Sequence, residues 1–300
     1  MMKIFVILRA CALFAYAFLL LVHFILKDHF QFLQIIFYAF PLPIIIFIGS
    51  IITILFYRSK AYFIFLICLI IVLNIAWFRN AYIFPRHVEI PEDATSVIFW
   101  NAADKPTIPM AILSKNINKI QPDIIALVET EHATQEDIVQ LSEEFPAYEF
   151  RILDGYMMIG VKGHIKNITY VIEEYSHDIN FVEMEIANGP LLVALTDTFQ
   201  KPTMDKRKTL GTVLQLVSER NVDLIVGDFN TPYESVHFRN FETDYNSFHD
   251  YGQGFSATWP FGIPLLEIDQ IYTVKTLSPI LLQKFYYNVS DHAMLVGYFK

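Results

Sequence analysis

The chain has 300 residues, 54% of them hydrophobic, with a net charge of −9 and a mean hydropathy of +0.39. Such an apolar excess excludes a purely soluble protein, and the acidic balance opposes the basic surface on which nucleic-acid binders rely. Residues 1–78 hold five basic residues (Lys3, Arg9, Lys27, Arg58 and Lys60) and one acid, Asp28, a local charge of +4, so residues 79–300 carry −13.

Three apolar runs fill the front, over residues 4–26, 32–57 and 61–78. A helix needs about 20 apolar residues to cross a bilayer core, so these predict three transmembrane helices. The third extends through Trp77 and Tyr82 at the interface. The first run has no clear small-residue cleavage site and two further runs follow it, which favours a span over a cleaved signal. Pro41 and Pro43 predict a kink in the second helix. Arg58 and Lys60 in the short link 57–60 favour a cytoplasmic turn. Three crossings then leave the remainder extracytoplasmic, in a multi-pass membrane protein. Cys11 and Cys68 both fall in the apolar runs, so the acidic part offers neither a disulfide nor a cysteine metal site.

Residues 79–95, with the Pro91-Glu92-Asp93 cluster, read as a linker to a domain over 96–300. In that domain apolar runs alternate with helical spacing. Strands are expected at 96–100, 123–128, 149–153, 156–161, 168–173, 181–186, 191–195, 224–226, 268–274 and 293–299. Helices are expected at 108–120, 134–145 and 206–219, the second capped by Thr134 with Glu136 in its first turn. The pattern predicts an α/β fold, a sandwich of mixed sheets. No repeat, glycine-rich phosphate loop or nucleophile elbow is present.

Polar residues cluster where the strands stop: Asn101 after Trp100, Glu129 after 123–128, Asp228 and Asn230 after Val226, Asp269 in the strand 268–274, and Ser290-Asp291-His292 before the last strand. Taken singly, an Asp or Asn there caps a turn. Taken in order, the pieces WN (100–101), IIALVET (124–130), GDFN (227–230), IDQIY (268–272) and SDH (290–292) resemble the endonuclease/exonuclease/phosphatase superfamily. That superfamily includes deoxyribonuclease I, apurinic endonucleases, neutral sphingomyelinases and inositol polyphosphate phosphatases. GFSATWP (254–260) is similar to a bacterial membrane-attached branch, and the resemblance covers residues 95–300.

The resemblance implies a two-sheet, deoxyribonuclease I-like sandwich hydrolysing a phosphate ester with magnesium or manganese. It implies Glu129 as principal metal ligand with Asn101 and Asp291 near the ion. Asp228 would orient or deprotonate the attacking water, and Asn230 would donate its amide to a phosphate oxygen. His292 would contact the phosphate as an imidazolium or act as base, and Asp269 would hold its ring. Two departures stand out. The strand 191–195 leads, in the family, to a histidine near the phosphate, whereas here it runs into Thr196-Asp197-Thr198, and Gln270 stands where some members carry histidine. Lys201, Lys206, Arg207 and Lys208 form the one local basic cluster, expected as the solvated start of a helix. With −13 on residues 79–300, a small or lipid phosphodiester is favoured over extended nucleic acid. Two readings remain open: a membrane-anchored, metal-dependent phosphodiesterase, and a catalytically silent relative that binds a phosphorylated ligand or a protein partner.

Overall fold

In the computed structural model, which describes residues 2–103 and 105–300, the chain divides into two units. One is the helical front to Tyr82 together with Glu234–Val236; the other is Ile83–Tyr233 with His237–Lys300.

The first unit contains α1 (Met2–Leu21), a π-helical turn (Val22–Leu26), α2 (Gln31–Ala39), α3 (Leu42–Leu55) and α4 (Lys60–Ala81). Ile4–Leu26 and Lys60–Ala81 are each long and apolar enough to cross a membrane. The expected second span is instead two helices bent by 70°, so the described residues hold two candidate spans, or three if the bent pair is one. The break has a local cause. Pro41 caps α3 and Pro43 sits in its first turn, and neither has the N–H that would continue the ladder from α2. Tyr16, Ile45 and Leu66 are buried where α1, α3 and α4 meet, and Asp28, the one acid of this stretch, is buried with the Tyr38 hydroxyl donating to it at 3.0 Å.

In the second unit the elements are β1 (Thr95–Asn101), α5 (Met110–Ile120), β2 (Ile124–Val128), α6 (Gln135–Glu144), β3 (Glu149–Leu153), β4 (Met157–Val161), β5 (Gly163–Glu173), β6 (His177–Ile186) and β7 (Gly189–Thr198). They continue as α7 (Lys206–Glu219), β8 (Leu224–Asp228), α8 (Phe241–Asp244), β9 (Tyr245–Ser247), β10 (Asp269–Val274), β11 (Pro279–Phe285) and β12 (Met294–Phe299). Two six-stranded sheets form, in the orders β11-β12-β1-β2-β4-β3 and β9-β10-β8-β7-β6-β5.

Central strands read as unbroken apolar runs because both faces are covered. One face of each sheet meets the other sheet, through Val97, Phe99, Ala126 and Val128 on one side and Val193, Leu195, Leu224 and Val226 on the other. The outer face of the first sheet packs Ile98, Trp100 and Ile125 against Leu113 and Ile117 of α5. The outer face of the second packs Ala194 and Ile225 against Leu210, Val213 and Val217 of α7. Thr134 caps α6 as expected, within a capping box whose other member is Asp137 rather than Glu136.

Both sheets contain one parallel pair, β1 with β2 and β7 with β8. Parallel neighbours end together, Asn101 opposite Val128 and Asp197 opposite Asp228. The antiparallel neighbours begin where these end: Asp269 opens β10 opposite Asp228, and β12 opens close to the end of β1 with Leu295 opposite Phe99. One rim of the sandwich therefore collects the polar strand ends.

Candidate active site

Strand parity decides where these side chains point. Leu224 and Val226 face the opposing sheet, so Asp228, two residues on, does so too. The same count carries Asn101 from Val97 and Phe99, Asp197 from Val193 and Leu195, and Asp269 from Ile271. Side chains of both sheets thus enter the gap at the rim. The Asn101 Nδ2 donates to Asp228 Oδ2 across it at 2.9 Å, with both residues essentially inaccessible.

Asp228 accepts the Asn230 backbone N–H on its other oxygen at 2.8 Å. Burial and the charge of Asp269 push its carboxyl up to about 7, against His292 and these two hydrogen bonds. The His292 Nδ1 lies 3.0 and 3.1 Å from the Asp269 oxygens and 3.8 Å from Asp228. Burial opposes charge on that ring, but Asp269, then Asp228 and Asp291, carry it up to about 10. The ring is therefore an imidazolium at neutral pH, its Nδ1–H directed to Asp269. Backbone contacts fix it further: the Trp100 indole donates to the His292 carbonyl at 3.3 Å, and the Ser290 hydroxyl accepts the His292 N–H at 3.0 Å. The Thr258 hydroxyl accepts the Asp269 N–H at 3.2 Å.

Of the seven expected site residues, Asn101, Asp228, Asn230, Asp269 and His292 belong to this linked set. Glu129 and Asp291 stand outside it. Glu129 follows β2 with φ at 53°, left-handed backbone that a side chain this long seldom adopts, and its carboxylate has no hydrogen-bond partner among the described residues. Asp291 accepts the Trp259 indole N–H at 2.8 Å. The Asn101 amide oxygen accepts the Ala103 N–H at 2.7 Å.

Asp228, Asp269 and His292 each offer a ligand atom within 4.8 Å of the others, a group able to hold a metal ion. Chemically it is the poorer choice for a hard cation, since its nitrogen already carries a proton bound to Asp269. The unpartnered Glu129 carboxylate, with the Asn101 and Asp291 oxygens as further donors, has the all-oxygen character that magnesium prefers.

Asp197 occupies the end of β7, where a histidine was expected from the family. Its Oδ1 accepts the Asn230 amide at 3.3 Å, and the same Nδ2 donates to the Thr198 carbonyl at 2.7 Å. Burial, then the charges of Asp228, Glu129 and Asp178, push this carboxyl well above the usual range.

The basic cluster at the start of α7 is not solvated throughout, contrary to expectation. Arg207 and Lys208 are exposed, but Lys206 is fully buried. Its ammonium donates to the Phe199 carbonyl and approaches the Thr198 hydroxyl at 3.5 Å, while that hydroxyl donates to the Phe229 carbonyl of the GDFN turn. Burial pulls Lys206 down to about 8, against the attraction of Asp228 and Asp197. Helical spacing alone pointed Lys206 outward; no local signal in the sequence marks it as a buried cation behind an acid.

The model of the Endonuclease/Exonuclease/phosphatase family matches residues 98–292. No curated protein matches the chain in sequence. Among solved structures, human Nocturnin's catalytic domain with bound sulfate aligns at 15% identity and a TM-score of 0.57, over 72% of this chain and 97% of its own. Humanized D. rerio TDP2 aligns at 16% and 0.55, over 70% and 100%. The Bacteroides thetaiotaomicron mannosyl-6-phosphatase aligns at 11% and 0.55, over 69% and 99%. These likenesses establish a shared fold.

Proposed function

This chain belongs to the endonuclease/exonuclease/phosphatase family, and from that premise we propose that it is a membrane-anchored phosphodiesterase using a divalent cation, magnesium foremost. One observation carries the reading: a buried acid, its amide partner and a histidine–aspartate pair meet across the seam of two sheets. Asp228 takes the proton of the attacking water, and a carboxyl near 7 suits a base at neutral pH. Asn101 and the Asn230 N–H hold that carboxylate in one orientation. The water oxygen bonds to phosphorus, the bond from phosphorus to the alcohol oxygen breaks, and the departing alkoxide takes up a proton from solvent. His292, kept cationic by Asp269, balances charge on the phosphoryl oxygens. Asn230 donates to the phosphate by releasing its longer bond to Asp197. Glu129, with Asn101 and Asp291, would hold the cation, which supplies charge stabilisation at the phosphoryl oxygens when bound. Helices of the first unit support membrane anchoring; three spans, counting the bent pair as one, with the 57–60 turn cytoplasmic, would leave the second unit extracytoplasmic.

The detergent-solubilised chain should hydrolyse bis(p-nitrophenyl) phosphate with magnesium, lose that activity to EDTA, and regain it with excess magnesium. His292→Ala and Asp228→Asn should each lower kcat by about 10²–10⁴-fold, the range for a general acid or base. A folded chain that turns over no phosphoester under these conditions removes the enzymatic reading. A second reading, binding of a phosphorylated ligand without turnover, is favoured by the Asn230 amide being held by Asp197 and Thr198. Sulfate or phosphate binding that leaves the diester intact would support it.

A further inference from the structure

Beside the linked residues, the second unit carries a cleft of about 520 Å³. Glu129, Asp197 and Asn230 line it, so a group esterified to a phosphate held at Asn230 extends into it. That group belongs to a substrate only on the hydrolytic reading.

Its lining is acidic, with the buried Lys206 ammonium behind Asp197. Glu173, Glu174 and Asp178 join Glu129 and Asp197 in the wall, and no lysine or arginine lines it. His177 adds no positive charge, because burial pulls its imidazole below the ordinary range. Lys208 pairs with Glu173 at 2.6 Å and Tyr170 donates to Asp178, but Glu174 has no hydrogen-bond or ion-pair partner among the described residues.

Its remaining surface is aromatic. Tyr156 and Tyr175 are 61% and 57% exposed, and Phe199 meets Tyr175 edge-on at 5.5 Å. Aromatic faces beside carboxylates attract organic cations. The protein already makes one such contact here, with the Lys201 ammonium 5.5 Å from the centre of the Phe199 ring. The wall is also fixed. The turn between β5 and β6 is closed by the Ser176 N–H to Glu173 and tied to the end of β7 by the Phe199 N–H to the Ser176 carbonyl at 2.9 Å. In that wall His177, only 3% exposed, keeps Nε2 without a hydrogen-bond partner among the described residues.

Other occupants fit less well. A second phosphate meets the acids Glu173, Glu174 and Asp178. A further metal ion, beyond the one proposed at Glu129, finds no suitably spaced trio among these acids, since the described group with that spacing is Asp228, Asp269 and His292. We propose that the cleft receives an ammonium group on the alcohol esterified to the phosphate, so that the substrate is a zwitterionic phosphodiester. The hydrolytic step is unchanged; the cleft selects what is hydrolysed.

Two chromogenic diesters sharing one leaving group test this on the full chain with magnesium: p-nitrophenyl phosphorylcholine and p-nitrophenyl ethyl phosphate. The zwitterionic choline ester should exceed the anionic ethyl ester in kcat/KM by tenfold or more. Tyr175→Ala combined with Glu174→Gln should bring the ratio near unity. Equal kcat/KM in the unaltered chain, or a ratio that the double variant does not move, overturns the proposal. If neither ester is hydrolysed, the hydrolytic reading fails first, and calorimetry decides the cleft. Phosphorylcholine binding tenfold tighter than ethyl phosphate upholds its preference, and equal binding overturns it.

Discussion

At the scale of single residues, Asp228 and His292 set opposite limits on the working pH. Asp228 must lose its proton to serve as base, and its carboxyl lies near 7; His292 must keep its proton, and its ring lies near 10. The kcat/KM profile should therefore climb about tenfold per pH unit up to 7 and fall above 10. His292→Gln should remove the upper limb along with most of the rate. The same ring bears on stability. Its folded pKa lies above its unfolded value, so its contribution is complete below about 6.5 and is lost as pH rises towards 10. Gly227 is a backbone constraint of another kind, since a Cβ there would stand 2.2 Å from the Thr196 carbonyl oxygen. Gly227→Ala should cost about 1–3 kcal/mol, the range for overpacking, read as a lower Tm of the detergent-solubilised chain. Asp228, Asn230 and His292 were legible as an ordered set of polar strand ends. Lys206 was not, because whether a lysine at a helix start snorkels or sinks depends on the strand packed beside it.

Among elements, β8 and the turn after it bind the site to the core. Phe229 is fully buried and meets Phe238, Phe241 and Tyr272 edge-on, at centroid distances of 5.4–6.1 Å. Phe229→Ala should cost about 3–5 kcal/mol, and thermal unfolding compared with activity at a permissive temperature separates lost fold from a displaced GDFN turn. The central strands could be read from sequence because burial on both faces leaves runs such as Ile124–Val128 wholly apolar. β11 escaped that reading. It is an edge strand opening on Pro279, and three apolar residues followed by Gln283 and Lys284 give neither alternation nor a long run. β5 begins earlier than expected, at Gly163, because its first residues are an exposed edge with no apolar pattern. The broken α2–α3 pair was half visible: two prolines announced a bend, but a kink within one helix and a break between two differ only in how the chain packs around Phe40.

For the molecule as a whole, the uneven charge and hydropathy have a direct consequence. Membranes from cells making the chain should retain it through an alkaline carbonate wash and release it only to detergent; recovery in the carbonate supernatant would contradict membrane spanning. A long duplex should bind weakly at about 0.15 M salt, because the −13 carried by residues 79–300 repels phosphates that a nuclease surface would attract.

The buried Lys206 also gives the fold a built-in reporter. With its pKa near 8 it is more nearly a free amine than an exposed lysine, and so intrinsically quicker to acylate; yet no surface of it meets a reagent. Mass spectrometry after brief exposure to an amine-acylating probe should find neighbouring Lys208 modified and Lys206 untouched. The first appearance of label on Lys206 as denaturant is added would time the parting of α7 from the end of β7, and with it the loosening of the ground on which Asn230 stands.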